Sequence, residues 1–117
     1  MAIFKKTAKI DLDQQTISSL LSEGCVIEGN LKAPSFVRID GQVIGDVTIE
    51  QGLILGEKGH IKGHVSARQM VVHGLIEGNI TAEILEMRGT GKITGNIKTT
   101  SIQVDAGAVY NGNLSMA

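Results

Sequence analysis

The chain has 117 residues, a formal net charge of −1 and 42% hydrophobic residues, enough for one domain with a core of its own. No basic stripe interleaved with aromatics is present, which argues against nucleic acid as a partner. No N-terminal h-region and no 18-residue apolar run occur, so the chain is expected to be cytoplasmic and not to span a membrane.

In chain order, the first segment sets Ile3 and Phe4 beside Lys5, Lys6 and Lys9, with no acid before Asp11. Ala2, Ile3 and Phe4 are suited to entering a lipid headgroup layer while the three lysines face anionic lipid. Each such lysine contributes about 1 kcal/mol, and each large apolar residue about 1.5–3 kcal/mol at most. One copy would bind weakly and many copies on a polymer strongly. The alternative is a solvated, unstructured terminus. Residues 1–16 are therefore expected to form a flexible segment with a membrane-targeting motif, preceding a folded domain over 17–117.

From Asp13 to Gly24 two readings compete. Ile17, Leu20 and Leu21 have helical i, i+3, i+4 spacing, with Gly24 as a cap. The same stretch also continues a repeat that fills the rest of the chain. That repeat is an apolar residue, a variable position, Gly, a turn-type residue and an aliphatic. It occurs as Ile27 to Leu31, Val43 to Val47, Ile61 to Val65, Ile76 to Ile80, Ile93 to Ile97 and Tyr110 to Leu114. The glycines are 16, 18, 15, 17 and 17 residues apart. This is too short for a helix pair and suits one coil of a β-solenoid, in which stacked repeats bury a continuous core.

The uneven spacing has internal order. The aliphatic is followed two residues on by a second inward residue, in the pairs Leu31/Ala33, Val47/Ile49, Val65/Ala67, Ile80/Ala82, Ile97/Thr99 and Leu114/Met116. Five or six residues later come Ile39, Leu55, Val72, Met87 and Val104, and eight or ten more reach the next aliphatic. A two-residue insertion preserves strand phase. The single-residue change is expected at a corner or bulge. Ten residues back from Leu31 lies Leu21, which starts the solenoid near Leu20. Glycines with Asn or Asp beside them fit corners, and Pro34 falls between strands. Cys25 reads as a small apolar residue of the first coil.

Catalytic chemistry finds little support. His64 takes the turn position filled elsewhere by Asn or Asp, His73 matches Asp40, and His60 has no partner at ligand spacing. No nucleophile–base pair or phosphate-cradling loop occurs, and Gly89-Thr90-Gly91 has no following helix. The hexapeptide rhythm of acyltransferase helices is absent. We expect no enzyme activity, no cofactor, no metal and no nucleotide.

Both terminal coils are expected to carry unpaired backbone groups, the last one uncovered by the residues that follow it. Stacking of identical ends, front-to-front and back-to-back, would produce a filament without polarity. Its expected contacts are Leu21, Val26, Ile27 and Leu31 at one end and Tyr110, Leu114 and Met116 at the other.

The residues from Glu23 to Leu31, those from Arg38 to Val47 and the later Gly-Asn-Ile repeats resemble the bactofilins over roughly residues 17–116. That resemblance implies an all-β, right-handed, three-faced parallel β-helix of about six coils. It further implies nucleotide-free polymerisation into non-polar filaments, contact with the inner face of the cytoplasmic membrane through the segment beginning Met1-Ala-Ile-Phe-Lys-Lys, and scaffolding of cell-wall or morphogenetic proteins. Unlike many relatives, the chain is not expected to recruit partners through a proline-rich C-terminal tail, and Tyr110 stands where a terminal aromatic is often Phe. A non-polymerising β-helical interaction module is the alternative, with a metalloenzyme of the carbonic anhydrase type third.

Overall fold

A computed structural model describes residues 17–116, with side chains from Leu20 onward. All regular structure among these residues is β-strand. The first coil holds β1 (Ile17–Leu21), β2 (Val26–Glu28) and β3 (Leu31–Ala33), and the second β4 (Phe36–Ile39), β5 (Gln42–Ile44) and β6 (Val47–Ile49). Then follow β7 (Gly52–Leu55), β8 (His60–Lys62), β9 (Val65–Val72), β10 (Leu75–Glu77), β11 (Ile80–Met87), β12 (Lys92–Thr94), β13 (Ile97–Val104), β14 (Val109–Asn111) and β15 (Leu114–Met116). Every pairing is parallel, and each strand lies beside its counterpart one coil away. The result is a solenoid of six coils with three faces. One face carries β1, β4, β7 and the second halves of β9, β11 and β13; the next carries β2, β5, β8, β10, β12 and β14. The third carries β3, β6, the first halves of β9, β11 and β13, and β15. The helix weighed for Asp13 to Gly24 is replaced by β1 over its described part, and Gly24 takes a positive φ of 90° in the following turn.

The two allowed step lengths have separate structural causes. Where ten residues separate the inward positions, the chain makes a β-turn between the first and second faces. Four backbone bonds close these turns: Cys25 to Ser22 (3.1 Å), Gly59 to Gly56 (2.8 Å), Gly91 to Arg88 (2.8 Å) and Ala108 to Asp105 (3.2 Å), each N–H donating to the carbonyl three residues back. Where eight suffice, Gly41 and Gly74 cut the corner beneath a neighbouring turn. A Cβ on Gly74 would overlap the carbonyl oxygens of Gly56 and Gly59. The single-residue change lies at the third-to-first corner, as expected. There β6 and β7 are separated by Glu50 and Gln51, whereas β9 turns the same corner in one unbroken strand. The pairing offset shifts accordingly, from Val47↔Val65 to Gly52↔Gln69.

The core runs as columns along the axis. Those anticipated through Val43, Ile61, Ile76 and Ile93, through Ile39, Leu55, Val72 and Met87, and through Val47, Val65, Ile80 and Ile97 are buried. A further column was not singled out from the sequence: Val37, Leu53, Met70 and Leu85, with Ile102 at its end. It sits two residues before the Ile39 column on the same strands, so period 2 places it inside as well. Thr99 is the one buried polar residue in the described core, and its hydroxyl lies 2.9 Å from the Ser101 carbonyl and 3.2 Å from that of Glu83. Cys25 is exposed, contrary to expectation: the equivalent Gly41, Gly59 and Gly91 are buried against the coil before them, whereas no described coil precedes Cys25.

Between the second and third faces the repeat glycines stack directly. Gly45, Gly63, Gly78, Gly95 and Gly112 have φ of 143°, 144°, 149°, 140° and 141°. A Cβ on any of them would overlap the carbonyl oxygen of the glycine one coil before. The adjoining Asn/Asp column ties the same corner: Asn30 Oδ1 accepts from Asp46 N, Asp46 Oδ1 from His64 N, and Asn79 Oδ1 from Asn96 N, each at 3.2 Å. Gly63→Ala combines a disfavoured φ with backbone overlap and should cost at least about 2 kcal/mol, a fall in Tm of about 10 °C or more. Gly24→Ala, with open space around it, should cost about 1 kcal/mol. Thermal denaturation followed by circular dichroism measures both.

Candidate functional site at the two ends of the solenoid

In the middle coils the inward columns are sealed: Ile39, Val43, Leu55, Ile61, Val72 and Ile76 are fully buried. The same columns open at the ends. In the first coil Leu21, Ile27, Leu31 and Ala33 pack on the core with one side only and remain partly accessible. In the last coil Val104 is 53% exposed, Leu114 44% and Met116 54%, although their columns are buried one coil earlier at Met87, Ile97 and Thr99. Ile102 and Ala108 are half-covered beside them. These side chains are exposed because no further described coil stacks on them, not because they face outward.

Of the expected contacts, Leu21, Ile27, Leu31, Tyr110, Leu114 and Met116 lie on core columns of the end coils. Val26 differs. In β2 only Ile27 turns inward, so Val26 projects sideways in register with Gln42 and His60 and forms part of the rim. Val104, Ile102 and Ala33 belong to the open ends and were left out. The signal was available, since each ends a column that the repeat defines. Ala2, Ile3, Phe4, Lys5, Lys6 and Lys9 lie outside the described residues.

Tyr110 ends the column of Val43, Ile61, Ile76 and Ile93. Its hydroxyl donates to backbone carbonyls at the glycine corner, lying 3.0 Å from Gly95 O and close against Asn113 O. Burial pushes the phenol above its ordinary range, offset in part by a hydrogen bond with the Ile97 backbone. The ring thus extends a buried aliphatic column while its polar tip reaches the rim.

The backbone is open in the same places. Among the described residues β14 pairs only with β12, and β15 only with β13. At the front, among the described residues, β2 pairs only with β5 and β3 only with β6. Each end offers a row of donors and acceptors around an apolar centre, the arrangement that adds another coil of the same kind.

The histidines make other contacts. His60 Nε2 lies 3.0 Å from Glu77 Oε2 across adjacent coils, and His64 continues the Asn/Asp column through its backbone. No cluster of three or more metal-ligating side chains exists among the described residues, and none of their helices is long and apolar enough to cross a membrane.

Leu114→Arg or Val104→Arg would place a charge on the open end while leaving the sealed columns intact. Either should reduce self-association at least tenfold in sedimentation velocity with little change in the β-sheet spectrum. Val26→Arg, on the rim, should have a much smaller effect.

Comparison with known proteins agrees with this architecture. Residues 19–115 match the family model Bactofilin, described as polymer-forming cytoskeletal. Bactofilin BacP of Myxococcus xanthus (strain DK1622) is 27% identical over 100 residues, which cover 85% of this chain and 42% of BacP. Bactofilin BacO of the same organism is 24% identical over 100 residues, covering 85% of this chain and 79% of BacO. The chain thus spans less than half the length of BacP. Among solved structures, a cryo-EM reconstruction of Thermus thermophilus bactofilin double helical filaments superposes with a TM-score of 0.82 at 33% identity, covering 85% of this chain and 99% of that one. A crystal structure of a point mutant of the same Thermus protein gives a TM-score of 0.73 at 32% identity, covering 77% of this chain and all of that one.

Proposed function

Because the chain belongs to the bactofilin family of polymer-forming cytoskeletal proteins, we propose that it assembles without nucleotide into non-polar filaments by end-to-end stacking of its solenoid. Membership of a cytoskeletal family makes it a structural protein and not an enzyme. The observation that carries the reading is the pair of unfinished ends. Apolar columns sealed through four coils emerge at the first and last, where the outer edges of the strands also have no partner among the described residues.

Burying the rest of each half-exposed aliphatic contributes about 1 kcal/mol, and several such residues at each junction act together with main-chain pairing. Like ends meeting like ends give two-fold junctions and hence no polarity. The strands supply their own geometry for this, so no hydrolysable ligand is needed. The similar Thermus protein forms double helical filaments, and we extend that pairing of filaments to this chain.

The segment carrying Ala2, Ile3, Phe4, Lys5, Lys6 and Lys9 attaches the polymer to the inner face of the cytoplasmic membrane. Weak individual contacts become firm when repeated along a filament. A membrane-bound polymer of this kind organises cell-shape or cell-wall proteins on its outward faces.

Electron microscopy of the purified protein without nucleotide should show filaments. Six strand layers about 4.8 Å apart give a rise of about 29 Å per subunit and a repeat of about 60 Å for each head-to-head pair. A monodisperse monomer at high concentration would reject assembly. Deleting residues 2–6 should abolish co-sedimentation with anionic vesicles while filaments persist; retained sedimentation would refute the anchor.

A further inference from the structure

The three outward faces differ in chemistry. The third face presents Lys32, Thr48, Ser66, Thr81, Lys98 and Ser115 in one register column, with Glu50, Arg68 and Glu83 beside it. That is the surface expected of a strand face in water. The first face is different. One of its outward columns runs Phe36, Gly52, Gln69, Ile84, Ser101, and the other Arg38, Ile54, Val71, Glu86, Gln103. Across the four middle coils, Phe36, Ile54, Val71 and Ile84 occupy positions where an isolated solenoid would carry polar side chains. Ile84 is 42% exposed, and the other three are partly so. The Phe36 ring lies over Gly52, where a Cβ would overlap it. The ring therefore covers the backbone of the next coil and broadens the apolar patch.

The patch is also symmetric. Take a two-fold axis in the plane of this face, parallel to the strands and midway between the third and fourth coils. It keeps each column opposite itself and reverses the order of coils. Ile54 then faces Val71 of a second copy, Phe36 faces Ile84, and Arg38 faces Glu86. Apolar residues meet apolar ones, and the cation at one end meets the anion at the other. Both ion-pairing groups are already held in place: Arg38 by Asp40 at 2.9 Å, and Glu86 by Arg88 at 2.7 Å. On the second face the same operation sets Lys62 against Glu77 and Val26 against Val109, but its centre pairs His60 with Leu75 and so lacks an apolar core. On the third face the same operation sets Ser66 against Thr81 and Lys32 against Ser115, with no apolar centre.

We infer that the face bearing Phe36, Ile54, Val71 and Ile84 is the surface through which filaments pair, seated on the same face of a second copy with the two solenoid axes antiparallel. This rests on the filament reading above and names the contact within it. An isologous contact of this kind is compatible with filaments that lack polarity, because two-folds across the filament axis already relate successive subunits. The stripe recurs in every subunit, so a modest contact is multiplied along the polymer.

The test separates pairing from end-to-end assembly. By electron microscopy, wild-type filaments should be paired, whereas Ile84→Lys and Val71→Lys should give single filaments of undiminished length. Arg38→Glu should also unpair them, and Arg38→Glu combined with Glu86→Arg should restore pairing. These residues sit three coils apart in one chain, about 14 Å, so the rescue cannot arise within a subunit. Pairing that survives all the single substitutions would overturn the inference. Should the wild type form no filaments, the assembly reading fails and the lateral contact is judged by covalent trapping. Two chains carrying Cys25→Ser, one with Ile54→Cys and one with Val71→Cys, are mixed and oxidised. A disulfide-linked heterodimer at least tenfold above a Thr48→Cys plus Ser66→Cys control supports the contact; a yield equal to the control overturns it. Unaltered circular dichroism confirms that each variant is folded.

Discussion

The solenoid depends on one close approach, the glycine corner between its second and third faces. From Gly45 to Gly112, every repeat glycine packs against the carbonyl of the glycine one coil before, at a separation that excludes any Cβ. The positive φ there swings the chain through the corner and delivers the next aliphatic to the interior. Because the corner recurs without variation, the strands on either side keep a fixed register from coil to coil. The Asn/Asp column, with His64 taking one place, bridges the corner through side-chain oxygens.

With that corner fixed, length variation is confined to the other two. A β-turn adds two residues between the first and second faces without changing which side chains point inward. One extra residue between the third and first faces is absorbed by breaking a long strand into two, as at Pro34-Ser35 and Glu50-Gln51. A one-residue change within a strand would have exposed its entire inward set. The core columns consequently run straight through coils of 15 to 18 residues, and that continuity leaves them open wherever coils cease to stack.

Function follows from the same continuity. A fold whose stability comes from coil stacking on coil has ends that resemble its own interior, and in the proposed filament a second copy supplies the missing layer. The sides are free to differentiate, and the first face has become apolar where the third remains hydroxylated and charged. In the proposed assembly axial and lateral contacts use different residues, so each could be altered without the other.

The coil period, the parallel β architecture, the three-part step pattern and most of the inward positions were legible in the sequence, because φ, side-chain phase and corner chemistry are local properties written into each repeat. The column of Val37, Leu53, Met70 and Leu85 obeys the same rule and could have been read from it. Other features could not. The exposure of Cys25, the His60–Glu77 contact and the apolar patch on the first face depend on which residues become neighbours 15 to 18 positions apart, whereas the outward position of Val26 follows from its alternation with Ile27. Strand preference in Ile17–Leu21 likewise prevailed over helical spacing because β4 offers those residues a ladder. How the chain winds is encoded locally, since each corner carries its own instructions. Which side chains share a surface emerges on folding, because that depends on how successive coils align.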